Sequence, residues 1–223
     1  MYSPPMAHAE AEIEGKAIVL LGSFNPQIFQ PAWFAAEGLI SRELAENANI
    51  GIIHPQLVAF SGEWLEVNVS DDRFQVASLT APSFDLLRDL ALGTFRLLRH
   101  TPIRAMGLNS DIHYKLDSEE SWHGIGHKLA PPDNWDKVLN RPGMRSLTIE
   151  ALRDDDTPGY IRVQVEPSAR LHPGLYVGVN DHFELTDHAP GEGATRIMKL
   201  LEGEWGKAQD RASRLHGWVA GLI

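Results

Sequence analysis

The chain has 223 residues, 20 Lys and Arg against 30 Asp and Glu, a net charge of -10, ten His and no Cys. Without cysteine there is no disulfide framework, no thiolate zinc site and no cysteine nucleophile. The acidic balance also weighs against broad binding to a phosphate backbone. Hydrophobic residues at 43% and charged residues at 22% are ordinary usage for a folded chain. No apolar run reaches the ~18 residues a membrane helix needs. The first residues, MYSPPMAHAEAEIEG, lack the basic and apolar regions of a signal peptide, so a cytoplasmic protein is expected.

Residues 1–14, rich in Pro, Ala and Glu, read as a flexible arm. Ala17 to Phe24 is apolar on both parities, as in a strand covered on both faces. Asn25-Pro26 breaks it, and Pro31 sits where a helix begins. That helix carries Trp33, Phe34, Leu39, Ile40 and Leu44 at helical spacing. Three strands are then expected: 49–60, 64–70 and, after the turn at Asp71-Asp72, 73–80. Ser83 is placed to cap a helix whose apolar stripe includes Phe84, Leu87, Leu90, Ala91, Phe95 and Leu98. Thr101-Pro102 ends it.

The order then repeats. A strand is expected over 105–116, and Asp117/Ser118 open a helix through Trp122, Ile125 and Leu129. A Pro-rich excursion (Pro131, Pro132, Pro142) leads to strands at 144–153, 160–166 and 174–185. An amphipathic helix through Ile197, Leu201, Trp205, Ala208, Ala212, Leu215 and Val219 closes the chain. The expectation is an α+β fold: two similar strand-helix-three strands-helix halves, 15–101 and 102–223, around a shared antiparallel sheet in one compact domain. Long helices cover one face. Alternation along the strands leaves the other face polar, with Trp64, Glu66, Asn68, Arg73, Gln75, Arg162, Gln164, Glu166, Tyr176 and Asn180 outward.

This element order resembles the saddle of TATA-binding proteins and the helix-grip folds that hold a ligand between a curved sheet and a long helix. A saddle on DNA wants basic residues and apolar wedges; here Glu66 and Glu166 offset Arg73 and Arg162. Nucleic acid is therefore not favoured as a partner. A protein partner or a small ligand suits the mixed-sign face, and no membrane is expected.

Asp181 falls on the apolar parity of its strand, between Val179 and Phe183. A carboxylate there needs a partner, expected from Arg88, Arg96, Arg99 or Arg104 as a structural buried charge. A binding-site carboxylate is the alternative. His123-Gly-Ile-Gly-His127 puts two imidazoles on one helix face at i and i+4, with Glu119 or Glu120 as a third metal ligand. The Glu of an H-E-x-x-H motif is absent, since position 124 is Gly. Asp181 and His182, adjacent on a strand, point to opposite faces and form no dyad. Asp187-His188 sits in a solvated loop, and neither Ser61-Gly62 nor Ser110-Asp111 has a nucleophile-elbow context. Gly191-Glu-Gly193 opens a helix but lacks the Lys-Ser/Thr of a phosphate loop. The arginines of 95–104 complement a helix C-terminus, or serve an anionic ligand. The apolar end, Trp218 to Ile223, suggests a homodimer through the last helix.

Pro4-Pro5, Phe74-Gln75-Val76, Gly107-Leu108-Asn109 and Val179-Asn180-Asp181-His182-Phe183 together resemble a sporadically distributed family of uncharacterised bacterial proteins. That family is of about this size and element order. The strand Met106-Gly-Leu-Asn109 departs from its Arg-Tyr-Ile-Asn-like pattern. The resemblance implies a bacterial cytosolic protein and carries no activity. The expected function is a non-enzymatic binding or assembly module working through the open sheet face. Its contacts are Asn109, His113, Asn180 and His182, with no catalytic residue and no cofactor. The alternatives are a metal-dependent hydrolase using His123 and His127, and a purely structural dimeric subunit.

Overall fold

A computed structural model describes residues 11–155, 157–185 and 192–223. Asp187, His188 and Gly191, and the arm as far as residue 10, lie outside the described residues. Strand β1 (Ala11–Gly22) leads to helices α1 (Pro31–Ala36) and α2 (Arg42–Glu46). Strands β2 (Asn49–His54), β3 (Leu57–Ser61), β4 (Glu66–Ser70) and β5 (Arg73–Ser78) follow, then helix α3 (Phe84–Leu97). The second half runs β6 (Ile103–Lys115), α4 (Glu119–Leu129), β7 (Leu147–Leu152), β8 (Gly159–Pro167), β9 (Gly174–Glu184) and α5 (Gly193–Ala220). The fold is α+β. One nine-stranded sheet has the order β2-β3-β4-β5-β1-β6-β9-β8-β7, with every pairing antiparallel. In each half the strand before the long helix lies beside the strand that opens the half, and β1 pairs with β6 at the centre.

Four local expectations are corrected. Residues 11–14, read as the end of the arm, are already part of β1. The stretch 49–60 is a hairpin rather than one strand, turning at Pro55-Gln56 with His54 opposite Leu57; proline has no amide to donate to a ladder. The helix expected from Pro31 to Leu44 is two helices. Gly38, at φ +68°, ends the first, and the Ser41 hydroxyl, accepting from the Leu44 amide at 3.0 Å, caps the second. Ser83 stands at the start of α3 but its side chain makes no capping bond. At α4 the expected cap does form, Ser118 accepting from Ser121.

Helices α3 and α5 lie side by side on one face of the sheet. Their stripes, with Leu87 and Phe95 on one and Ile197 and Leu201 on the other, bury Ile18, Leu20, Phe74, Leu108 and Phe183 beneath them. Each such side chain contributes roughly 1.5–3 kcal/mol of burial. Phe74 meets Phe95 edge-on at 5.0 Å between ring centres. A smaller cluster of Tyr114, Ile125, Leu175, Val177 and Val219 closes the far end. No helix among the described residues is long and apolar enough to cross a membrane.

Candidate functional site

Among the described residues no helix is packed on the other face, and register fixes what it presents. One cross-strand row reads Ala77, Ala17, Asn109, Asn180, Arg162, Glu150 from β5 to β7. The next reads Gln75, Val19, Gly107, His182, Tyr160. On the far side of the first lie Gly15, Asp111, Gly178 and Gln164. Small residues occupy the middle strands and long polar ones the strands beside them. The face is therefore hollowed into a depression of about 320 Å³, at the lower end of small-molecule sites.

Two glycines set its shape. A Cβ on Gly178 would come within 2.4 Å of the Tyr176 hydroxyl, and one on Gly107 within 2.7 Å of the Asn180 amide nitrogen. Their absence lets Tyr176 and Asn180 lie flat along the sheet. Tyr176 reaches over Gly178 and donates its hydroxyl to Asp111 Oδ1 at 2.8 Å. Burial pushes the Asp111 carboxyl above its usual range, the tyrosine bond opposing it, and burial likewise raises the Tyr176 phenol. Asn180 Nδ2 donates to Asn109 Oδ1 at 2.6 Å. The pair leaves both N–H donors of the Asn109 amide open, together with the carbonyl acceptor and second N–H of Asn180.

The β8 side forms a wall. Tyr160 stacks on His182 with ring centres 4.4 Å apart and planes at 18°. The Arg162 guanidinium lies 4.7 Å from the Tyr160 ring centre and is held by Glu150 at 2.7 Å. Burial lowers the His182 imidazole below its ordinary value, with the Glu184 charge opposing.

Of the expected contacts, Asn109, Asn180 and His182 line this depression together. His113 lies on the same face beyond it, opposite Tyr176. It is 8% exposed, and its Nδ1 is 2.8 Å from the Ser168 hydroxyl. That hydroxyl already accepts the Arg170 and Leu171 amides, so it donates to Nδ1. His113 is thus bound up in the loop after β8. Tyr160, Asp111 and Gly178 were missed as site residues. Tyr160 follows the strand's own parity from Arg162, whereas the roles of Asp111 and Gly178 depend on register across strands. Trp64, expected outward, packs half-buried against the core instead.

Asp181 is buried on the covered face, 2% exposed, but its expected partners are wrong. Arg88 pairs with Asp89 and Arg96 with Glu202. Arg99 donates to His100, and Arg104 to the Gly22 carbonyl. Asp181 is instead gripped by Arg153, from the stretch after β7, and by Arg211 of α5 at 2.7 Å. Arg153 also lies over the Phe183 ring at 3.9 Å and holds Asp155 down to about 2. His123 and His127 sit exposed on the outer face of α4. No group of three His, Asp or Glu able to hold a metal occurs among the described residues.

In comparison with known proteins, no family model matches the chain and no curated protein matches it significantly.

Proposed function

We propose that this protein is a non-enzymatic binding module that receives a small polar ligand on the open face of its sheet. One observation carries the reading. Side chains from β6, β8 and β9, all on the outward parity, converge with Arg73 around one hollow floored by Gly107 and Gly178. Several of their hydrogen-bonding groups are half-used, which suits a ligand more than a folded core. The chemistry favours holding over reacting: the Tyr176 hydroxyl is committed to Asp111, and the His182 ring is stacked on Tyr160 with no nucleophile bonded to it among the described residues.

A thermal-shift screen of small polar compounds tests this, followed by amide NMR of the best ones. Binders are expected to move the Gly107 and Gly178 resonances and to bind Asn180→Ala at least tenfold more weakly. Unchanged affinity in that variant, or no binder at all, removes the proposal. The homodimer reading keeps one physical basis, since Trp218 is 62% and Ile223 41% exposed at the end of α5. Sedimentation showing a monomer at tens of micromolar would end it.

A further inference from the structure

The two ends of the hollow carry opposite chemistry. At one end Arg73 stands opposite Leu21. Its guanidinium donates to Gln75 Oε1 at 2.6 Å, a neutral partner, and it makes no ion pair among the described residues. The second cation of the site, Arg162, is already neutralised by Glu150. An uncompensated arginine in a chain of net charge -10 is a specific place for an anion.

At the other end Asp111 stands opposite Gly15. One of its oxygens takes the Tyr176 hydroxyl, and the other has no donor among the described residues. Burial of this carboxyl favours its neutral form, opposed by the Tyr176 bond and the charge of Arg170; a ligand ammonium beside the open oxygen would favour the ionised form and pair with it.

Between the two ends run Leu21, Val19, Ala17 and Gly15 on β1, facing Gly107 and Asn109 on β6. From Leu21 to Gly15 is six residues of strand, or about 20 Å at ~3.3 Å per residue. A free amino acid, whose two charges are a few ångströms apart, cannot touch both ends. A simple anion would use Arg73 and ignore the rest. An extended peptide of about four to six residues has the right reach. Midway, an open amide donor of Asn109 and the open carbonyl acceptor of Asn180 match one peptide unit. The small residues on β1 and β6 let a backbone lie close.

Resting on the binding reading above, we propose that the ligand is a short free peptide laid along the β1–β6 seam, its terminal carboxylate at Arg73 and its terminal ammonium at Asp111.

The probe is a random-sequence pentapeptide pool in three forms: free at both ends, C-terminally amidated, and N-terminally acetylated. Each is equilibrated with the full chain, and retained peptide is measured by mass spectrometry. The free pool should be retained, with both blocked pools at least tenfold weaker. Arg73→Gln, at an exposed site, should erase the difference between free and amidated pools. Asp111→Asn should erase the difference between free and acetylated pools, and Tyr176→Phe provides a second perturbation of that end that keeps the ring. Equal retention of all three pools overturns the assignment, as does a free-versus-amidated difference that persists in Arg73→Gln. If no pool is retained while the compound screen still yields binders weakened by Asn180→Ala, the peptide assignment fails and the binding reading stands. If both fail, both readings fall.

Discussion

Adjacent residues of β9 show two ways of handling polar groups. Asp181, pointing under the helices, is 2% exposed, and each oxygen meets a guanidinium, one from Arg153 and one from Arg211. Glu204 joins through Arg211 at 3.3 Å, so α5 is tied to the sheet by a closed set of charges. Asn180 and His182, one residue either way, point to the open face. Asn180 uses its amide on Asn109, and His182 leans on the Tyr160 ring, each retaining bonding capacity. The Asp181 cluster on the covered face is satisfied internally and fixes how helix meets strand. The open face is left incomplete, and an incomplete polar surface is where a ligand gains most.

The strongest way to break this comparison is Asp181→Ala. It removes the carboxylate shared by two buried guanidinium groups and leaves them only Asp155 and Glu204, a change expected to cost about 3–5 kcal/mol. Urea denaturation measures it, and a loss below about 1 kcal/mol would show that the cluster is already wet. On the open face, Asn180→Ala should leave stability within about 1 kcal/mol while weakening ligand.

Acid should act next most strongly, again through the covered side. His216 of α5 is 4% exposed, and its Nε2 makes no hydrogen bond among the described residues. Burial lowers its pKa to about 4. The unfolded chain takes up this proton near pH 6.5, whereas the folded chain resists it. Stability is therefore full above about pH 6.5 and declines as pH falls toward 4, by about 3 kcal/mol in all. Burial depresses His113 and His182 in the same direction. Denaturation midpoints at pH 7 and pH 5 read the slope, and His216→Leu should flatten most of it.

Much of this division was legible in the sequence. Parity alone puts Asp181 against Asn180 and His182, because alternation on a strand is strict. The apolar stripes of α3 and α5 likewise identify the covering helices. The partners of Asp181 were not legible by proximity. Arg153 and Arg211 lie 28 and 30 residues away and meet it only once β7, β9 and α5 are stacked. A signal did exist: Glu204, Ala208 and Arg211 fall at i, i+4 and i+7, so α5 carries charge on its buried stripe. The hairpin at Pro55-Gln56 was also written in the chain, as a proline inside an apparent strand. The depression itself was not, because it arises from glycines on β6 and β9 whose neighbours are set by register.

Gly178→Ala probes that depression with a smaller effect. The new methyl group cannot share space with the Tyr176 hydroxyl, so the tyrosine must leave Asp111. Losing that bond costs about 1–2 kcal/mol, readable as a lower denaturation midpoint. The decisive part is the ligand: filling the floor should abolish binding, while an equally destabilising core change such as Val177→Ala should not.

Glu150→Gln gives the smallest expected effect and the sharpest contrast with Asp181. Both residues are carboxylates paired to arginine, yet Glu150 and Arg162 are half-exposed, at 50% and 43% of their side chains. Water already solvates both charges, so the pair contributes about 0–1 kcal/mol against several for Asp181. Arg162 also lies over Tyr160, a contact that survives loss of the carboxylate. Stability should therefore change by less than about 1 kcal/mol in urea. Freed of its partner, Arg162 becomes a second uncompensated cation on the hollow, so an anionic ligand should bind Glu150→Gln more tightly than the parent. Titration of both proteins with the same anionic ligand reads this. Equal affinity would mean that Arg162 faces Tyr160 and solvent alone, leaving Arg73 as the charge that governs the site.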